Sequence, residues 1–284
     1  MSAAETYTAV RDDGTAATML ERSHVNGTDL YYQAAGEGPP VVFLHGFGGN
    51  HLIWWQQIAH FAPEYRCIAP DQRMFGLSAD AEGSGAAAFV DDLAALLDEL
   101  GVETAAVVAQ SMGGWTAASF ATQFPDRVAA LVLADTPGGL LPLEAREEGD
   151  EDGGESGEED ESDEDDQGVE SRAYSEALAP EMAFLYDSIS ALNVHRPAEF
   201  EDIRPGLAEL PADPEVISDA DVPVLQIVGE DDVLTPPALI RRVNDLLGDA
   251  RLEVVEGSGH SVYFERPAVF NRLVGEFVES EAGF

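Results

Sequence analysis

The sequence predicts an α/β protein with a doubly wound, mostly parallel sheet and a small helical cap inserted into it. Short apolar runs recur along the chain, as expected of strands that are buried on both faces of a parallel sheet. Between these runs, apolar residues repeat with the period of amphipathic helices. This alternation is interrupted once, over residues 138–212. Strands that alternate with helices favour a parallel sheet covered by helices on both faces.

Changes in composition along the chain define the predicted domains. Residues 1–20 are small and polar without a clear period, and we interpret them as a mobile N-terminal tail. Residues 21–137 and 213–284 are predicted to form the core domain. Its predicted strands lie at residues 41–44, 67–69, 105–109, 130–134, 224–228 and 252–255. Its helices are predicted from apolar stripes such as Phe89, Leu93, Leu96, Leu97 and Leu100.

Residues 138–212 are interpreted as a cap insertion. Residues 144–170 consist almost entirely of Asp, Glu, Gly and Ser, and a segment with so little apolar surface to bury is expected to be disordered. The role of this acidic loop stays open. Residues 174–192 then show one apolar face and predict a cap helix. A calcium-loop pattern at 148–159 is set aside, because Glu replaces Asp at its first position and no amphipathic helices flank it.

The charge of the chain is strongly negative. It has 55 acidic residues and 14 basic residues, all of them Arg, for a net charge of −41. Residues 144–170 hold 16 acidic residues and one Arg, so a net charge of −26 remains on the other 257 residues. This pattern resembles that of proteins from organisms with molar salt in their cells, where charges are screened within about 3 Å. The alternative is an acidic protein from an organism whose cells contain an ordinary salt concentration.

The negative charge also limits the classes of partner that the protein is expected to bind. Nucleic acids and anionic membranes are not expected to bind, because both are bound through clustered Lys and Arg. The single cysteine, Cys67, permits neither an intrachain disulfide nor a metal site built from cysteines. No basic–apolar signal segment or membrane-length apolar stretch is visible in the sequence. We therefore expect a cytoplasmic protein with a small-molecule substrate and no metal, and we leave its oligomeric state open.

The segment after the predicted strand 105–109 has small residues two positions either side of a serine. Ala109, Ser111 and Gly113 occupy the defining positions. A nucleophile in a strained strand–turn–helix needs such neighbours, because strand and helix approach closely there. The segment resembles the nucleophile elbow of α/β-hydrolases, with Ala109 in place of the usual first Gly. The resemblance implies that Ser111 is the catalytic nucleophile.

A loop earlier in the chain resembles a second motif of this family. Residues 45–49, His-Gly-Phe-Gly-Gly, follow the predicted strand 41–44, as does the family's oxyanion loop. The resemblance implies that the backbone N–H groups of Phe47 and Met112 form the oxyanion hole. His45 is expected to support the loop rather than to transfer protons.

Two further segments continue the resemblance in the family's order. Residues 71–78 are similar to the element D-x-R-G-x-G-x-S, with Met74 in place of its first Gly, and we interpret them as a folding element. Residues 229–236 are similar to the family's turn G-x-x-D-x-x-x-P, and the resemblance implies that Asp232, at the position of its Asp, is the catalytic acid. Asp231 is the alternative, interpreted as a solvated or capping residue.

The last motif is a glycine-flanked histidine. His260 lies within residues 257–261, and Glu265 and Pro267 follow it as in the family's histidine loop. The order nucleophile, acid, base is that of α/β-hydrolases and differs from the order in other common serine triads. The resemblance covers about residues 22–137 and 213–284.

The resemblance implies an α/β-hydrolase that uses no cofactor. Its expected activity is hydrolysis of a carboxylic ester, a lactone or a similarly activated carbonyl through an acyl-enzyme on Ser111. Enol-lactonases, carbon–carbon bond hydrolases and perhydrolases share the triad, so these alternatives remain. A hydrolase-fold sensor of a small ligand is a further alternative. Because residue 111 is Ser rather than Asp, epoxide-hydrolase and dehalogenase chemistry is not expected.

Overall fold

The computed structural model describes residues 7–10, 16–141 and 173–284. The predicted acidic loop at residues 144–170 lies outside the described residues. The strands in the described part are β1 (Tyr7–Val10), β2 (Ala16–Val25), β3 (Thr28–Ala35), β4 (Pro40–Leu44), β5 (Arg66–Pro70), β6 (Ala105–Gln110), β7 (Val128–Ala134), β8 (Val224–Gly229) and β9 (Arg251–Val255).

These strands form one sheet in the order β1-β2-β3-β5-β4-β6-β7-β8-β9. From β5 to β9 neighbouring strands are parallel, whereas β1, β2 and β3 pair antiparallel and β3 joins β5 in the same way. The chain runs outward from β4 to β5 and then crosses back to β6 on the other side of β4. The predicted doubly wound, mostly parallel sheet is therefore confirmed.

The structure differs from the prediction at the N-terminus. Residues predicted as a mobile tail include β1 and the first part of β2, which belong to the sheet. β2 and β3 are joined by the two-residue turn Asn26-Gly27, both with positive φ, and Val25 pairs with Thr28 across it. Asn-Gly between two strands is a strong hairpin signal. Strand pairing across this turn thus orders residues that look featureless in sequence.

The helices follow the predicted alternation in the core. Those in the described part are α1 (Trp55–Phe61), α2 (Phe89–Glu99), α3 (Met112–Gln123), α4 (Pro180–Ser190), α5 (Arg204–Ala208), α6 (Pro214–Asp219), α7 (Pro237–Leu246), α8 (Val262–Glu265) and α9 (Pro267–Glu281). Short 3₁₀ helices span His51–Trp54, Gly85–Ala88, Pro125–Arg127 and Phe200–Asp202. None of the helices in the described ranges has the length and apolar character needed to cross a membrane.

Alternate residues of the strands supply two apolar cores, one on each face of the sheet. In β4, Val42 and Leu44 join the core covered by α2, α3 and α7, whereas Val41 and Phe43 join the core covered by α1 and α9. Both faces of the central strands are therefore buried, which explains their continuous apolar runs.

The described part of the cap is docked on loops at the edge of the sheet. Its helix α4 begins at Pro180, later than the predicted start at residue 174, since proline favours the first turn of a helix. Asn50 Nδ2 donates to Ile189 O over 2.9 Å. Asn193 Nδ2 donates to Gly48 O over 3.0 Å. The cap therefore contacts Gly48 within the predicted oxyanion loop at residues 45–49 and Asn50 directly after it.

The segment 71–78 contains a buried ion-pair cluster. Arg73 is 1% exposed, and its Nε and Nη2 donate to the two oxygens of Asp92 over 2.8 and 2.6 Å. Its Nη1 donates to Asp80 over 3.2 Å, and Nη2 also donates to Asn26 O over 2.8 Å. Arg73 thus ties the β2–β3 turn to α2, in keeping with the interpretation of this segment as a folding element.

Replacing Arg73 with Met is expected to destabilise the protein by about 3–5 kcal/mol, because Asp92 then keeps a buried charge without its cation. Urea unfolding in concentrated salt measures this loss. Arg272→Met is the control, since Arg272 pairs with Glu276 on the exposed surface of α9 and contributes little there. A loss below about 1 kcal/mol in Arg73→Met would contradict a supporting role for the cluster.

Candidate active site

Ser111 lies at the carboxyl end of β6, in a sharp turn into α3. Its φ of 50° and ψ of −118° are unusual for a residue with a side chain. Neighbouring bonds hold this conformation: Ser111 N–H donates to Ala134 O over 3.0 Å, and Thr136 Oγ1 donates to Ser111 O over 2.7 Å. A Cβ on Gly113 would lie 2.5 Å from Leu44 O, so a larger residue would separate helix from strand. The predicted strand–turn–helix is confirmed.

Ser111, His260 and Asp232 form one hydrogen-bonded chain. His260 Nε2 lies 2.9 Å from Ser111 Oγ, and His260 Nδ1 lies 2.9 Å from Asp232 Oδ2. The three residues follow β6, β9 and β8, whose carboxyl ends share one edge of the sheet. With its hydrogen on Nδ1, the imidazole donates to Asp232 and turns the Nε2 lone pair toward the serine hydroxyl.

Asp232 is the carboxylate that reaches the imidazole. Its Oδ1 accepts the N–H groups of Leu234 and Thr235, each over 2.9 Å, and its Oδ2 accepts the Thr235 hydroxyl over 2.6 Å. Asp232 is 2% exposed, whereas the Asp231 side chain is exposed. The structure therefore brings Asp232, and not Asp231, to His260. Sequence reasoning missed Thr235, which lies within the same turn motif.

The contact between Asp232 and His260 changes both pKa values. Burial alone would raise the pKa of Asp232, but the imidazole charge, its hydrogen bond and the donors from Thr235 hold this pKa below its ordinary value. Burial likewise opposes a charged imidazole, yet the Asp232 carboxylate raises the pKa of His260 above its ordinary value. The pair thus stabilises the protonated imidazole that proton transfer from a serine would create.

The loop at residues 45–49 is held by its own hydrogen bonds. His45 is fully buried; its Nδ1 lies 2.8 Å from Gly46 O, and its Nε2 accepts the N–H of Gln72 over 3.0 Å. Burial lowers the pKa of His45, which keeps the imidazole neutral. Gln72 Nε2 also donates to His45 O over 2.9 Å. His45 therefore belongs to the support of this loop and lies apart from the chain formed by Ser111.

Phe47 and Met112 lie on the two segments that meet at Ser111. Phe47 lines the cavity in front of the serine, and Met112 is the first residue of α3. Within the described part of the chain, no protein acceptor takes the N–H of Phe47 or of Met112. Backbone N–H groups without a partner, next to a serine, are the donors that a developing oxyanion requires.

A cavity of about 270 Å³ opens in front of Ser111. Both apolar and polar residues line it, which suits a small organic molecule. Its lining residues are Phe47, Gly48, Gln110, Ser111, Ala173, Tyr186, Asp187, Ser190, Ala191, Arg196, Leu234 and His260. In the described residues, no group of three or more His, Cys, Asp or Glu side chains could hold a metal ion.

A second buried carboxyl group, Asp135, lies beside the Asp232–His260 pair. It follows β7 directly, has a φ of 50° and is fully buried. Its two oxygens accept the N–H groups of Gly229 over 3.0 Å and Val262 over 3.2 Å. Burial, followed by the nearby Asp232 charge, raises its pKa well above the ordinary value. Sequence reasoning missed Asp135; its position after a buried strand was the available signal.

Two models of known protein families match this chain, one in each half of the core. The family model described as the alpha/beta hydrolase fold matches residues 39–156. The family model described as TAP-like protein matches residues 206–281. The first match contains Ser111 and the predicted oxyanion loop, and the second contains Asp232 and His260.

Individual proteins are similar over nearly the whole chain. The putative non-heme bromoperoxidase BpoC of Mycobacterium tuberculosis is 32% identical over 89% of this chain and 98% of its own length. The 2-hydroxy-6-oxo-2,4-heptadienoate hydrolase of Pseudomonas putida is 30% identical over 90% of this chain and 94% of its own. A thermophilic esterase from Thermogutta terrifontis superposes with a TM-score of 0.73 at 24% identity, with 98% of both chains covered. At that identity the esterase shows the shared fold.

Proposed function

Since the chain belongs to the α/β-hydrolase family, we propose that it is a serine hydrolase that cleaves a carboxylic ester, a lactone or a similarly activated carbonyl. The observation that supports this proposal is the hydrogen-bonded chain from Ser111 Oγ through His260 to Asp232, with 2.9 Å at both contacts of the imidazole. In this proposal Ser111 is the nucleophile, His260 the general base and Asp232 the acid that orients the base.

The reaction proceeds in two halves. Ser111 Oγ attacks the carbonyl carbon while its proton passes to His260 Nε2, because a serine hydroxyl is a weak nucleophile without a base. The bond from the carbonyl carbon to the leaving oxygen then breaks, and His260 returns the proton to that oxygen. Water then attacks the acyl carbon with His260 again the base, the bond from that carbon to Ser111 Oγ breaks, and His260 returns the proton to Ser111 Oγ. The products are a carboxylic acid and an alcohol, joined in one molecule for a lactone.

The N–H groups of Phe47 and Met112 stabilise the tetrahedral oxyanion of both halves. Both lack a protein acceptor in the described residues and flank the serine, Phe47 from the loop after β4 and Met112 from the first turn of α3. One such donor contributes about 3–4 kcal/mol to the transition state. The α3 N-terminus adds its positive dipole end at the same place.

The pH profile is expected to follow the protonation of His260, which must be neutral to accept the serine proton. Burial works against the imidazolium, but Asp232 raises the pKa of His260, so activity should be lost on acidification starting above the ordinary imidazole value of about 6.5. The measurement is kcat/KM against pH at constant high salt. An acid limb at or below that value would contradict the proposed pairing.

A substrate panel tests the proposed activity. Nitrophenyl esters, lactones and vinylogous diketones are incubated with the wild-type protein and with Ser111→Ala, at low and at molar salt. Turnover of an ester or lactone that depends on Ser111 supports the proposal.

We further propose that the enzyme works in the cytoplasm of a cell with concentrated salt, because its net charge is −41 and Lys is absent. Activity restricted to low salt contradicts this second point.

The panel also separates the alternatives. A relative named as a hydrolase of 2-hydroxy-6-oxo-2,4-heptadienoate favours testing carbon–carbon bond cleavage, and a relative named as a bromoperoxidase favours testing perhydrolysis. Turnover of the diketone alone, or peracid formation from acetate and peroxide, would identify those reactions. A ligand sensor would cleave about one equivalent and then stop, whereas an enzyme completes many cycles.

A further inference from the structure

The segment at residues 173–175, here called the docking segment, packs directly on the loop that carries His260. Ser261 Oγ donates to Ala173 O over 2.6 Å. A Cβ on Gly259 would lie 2.7 Å from Ser175 N, so the two backbones touch at a position that tolerates only glycine. Ala173 also lines the cavity in front of Ser111. The docking segment is therefore at once a wall of the cavity and a neighbour of the base.

One buried carboxylate joins these two backbones. Glu265, at the end of α8, is 7% exposed. Its Oε1 accepts the N–H groups of Gly259 over 3.0 Å and Ser261 over 3.3 Å, the two residues that flank His260. Its Oε2 accepts the N–H and the hydroxyl of Ser175 over 3.1 and 2.6 Å. The partner is the donor in all four contacts, and a carboxylate can accept hydrogen bonds at both of its oxygens.

We propose that Glu265 is a positioning residue that couples the docking of residues 173–175 to the placement of His260 against Ser111. The proposal rests on the proposed function, in which His260 is the base. When the docking segment leaves Glu265, the carboxylate loses both contacts of its Oε2, and only its Oε1 remains to hold the N–H groups on the two sides of His260. The cavity wall and the base are therefore set together, and the base is fully placed only when the wall is in position.

The charge of Glu265 supports this assignment. The carboxyl groups that face His260 are Asp232 from the turn after β8, Asp135 from the end of β7 and Glu265 from α8. Burial lowers the pKa of His260, and these carboxyl groups, Asp232 first, raise it. Removing the charge at residue 265 should lower the pKa of His260, an effect that loss of packing alone would not produce.

Glu265→Gln tests the proposal. Each oxygen of Glu265 accepts two hydrogen bonds, and in the amide an NH₂ group replaces one of these oxygens and faces two donors. We expect the rate of Ser111 labelling by a fluorophosphonate, and kcat with an ester, to fall about 10- to 100-fold. The acid limb of both pH profiles should move to lower pH. Glu276→Gln, on the exposed face of α9, is the matched control and should leave both rates unchanged.

Ser175→Ala provides a second variant that keeps Glu265. It removes only the 2.6 Å hydroxyl contact, so labelling should slow about 2- to 5-fold. In Glu265→Gln the same change should have a smaller effect, since the carboxylate that links Ser175 to both sides of His260 is gone. Additive effects, or wild-type labelling and pH profile in a folded Glu265→Gln, would overturn the proposal. If the wild-type protein shows no labelling that depends on Ser111, the proposed function itself fails, which distinguishes the two outcomes.

Discussion

Replacing Ser111 with Ala is expected to lower kcat for ester or lactone hydrolysis by about 10⁴- to 10⁶-fold. The change removes the atom that bonds to the carbonyl carbon and leaves His260 Nε2 without its 2.9 Å partner. Residual hydrolysis would come from the oxyanion donors alone, because members of a triad act as a unit. Steady-state kinetics in concentrated salt measures the loss, and acyl-enzyme mass spectrometry should detect no adduct.

A matched control keeps the test specific to the nucleophile. Ser119→Ala changes a buried serine on the same helix, where the hydroxyl accepts from Gln123 over 3.1 Å, and should retain full activity. Both variants should unfold within about 1 kcal/mol of the wild type, since one hydroxyl is removed in each. Activity of Ser111→Ala above about a hundredth of the wild-type value would overturn the assignment.

The convergence of the three residues of the proposed triad could be predicted from sequence because each lies in a short motif that follows a buried strand. Ser111 follows β6 with small residues two positions either side, and His260 follows β9 directly after Gly259. In a parallel sheet, the carboxyl ends of such strands meet at one edge. The local pattern and the sheet topology together therefore determine that these side chains converge.

Asp135 and Glu265 could not be assigned in this way. Glu265 acts on residues that lie beside it in sequence and on Ser175, which is 90 residues away. Asp135 bonds to the ends of two other segments, at Gly229 and Val262. The local sequence shows only that Asp135 follows a buried strand and that Glu265 belongs to the histidine loop motif, because all of their partners except the Ser175 hydroxyl are backbone N–H groups. Every residue except proline has a backbone N–H group, so these donors cannot be recognised from the pattern of side chains.

The N-terminal strands and the start of the cap helix differ from the sequence prediction for local reasons. Only residues 16–20 of β2 belong to the small, polar segment 1–20, and β2 pairs with β3 across Asn26-Gly27. The cap helix was predicted from its apolar face, which also includes Leu178, whereas the helix begins at Pro180. Periodicity identifies a face that can be buried, and a proline decides where the helix can begin.

Asp232→Asn is expected to lower kcat by about 10⁴-fold while leaving the fold intact, because the side chains are isosteric. The backbone N–H groups of Leu234 and Thr235 hold one oxygen of residue 232, so the amide oxygen of the variant takes that position. The NH₂ group then faces His260 Nδ1 and forces the hydrogen onto Nε2. An imidazole in that tautomer cannot accept the proton of Ser111.

Asp231→Asn is the matched control, one residue away and exposed, and should change kcat by less than about threefold. The two variants remove the same charge from adjacent positions, so any effect of net charge is common to both. Proton NMR adds a readout that needs no substrate: the strongly downfield proton shared by His260 and Asp232 should vanish in Asp232→Asn and persist in Asp231→Asn. If Asp231→Asn were instead the more damaging change, the acid of the triad would move by one residue.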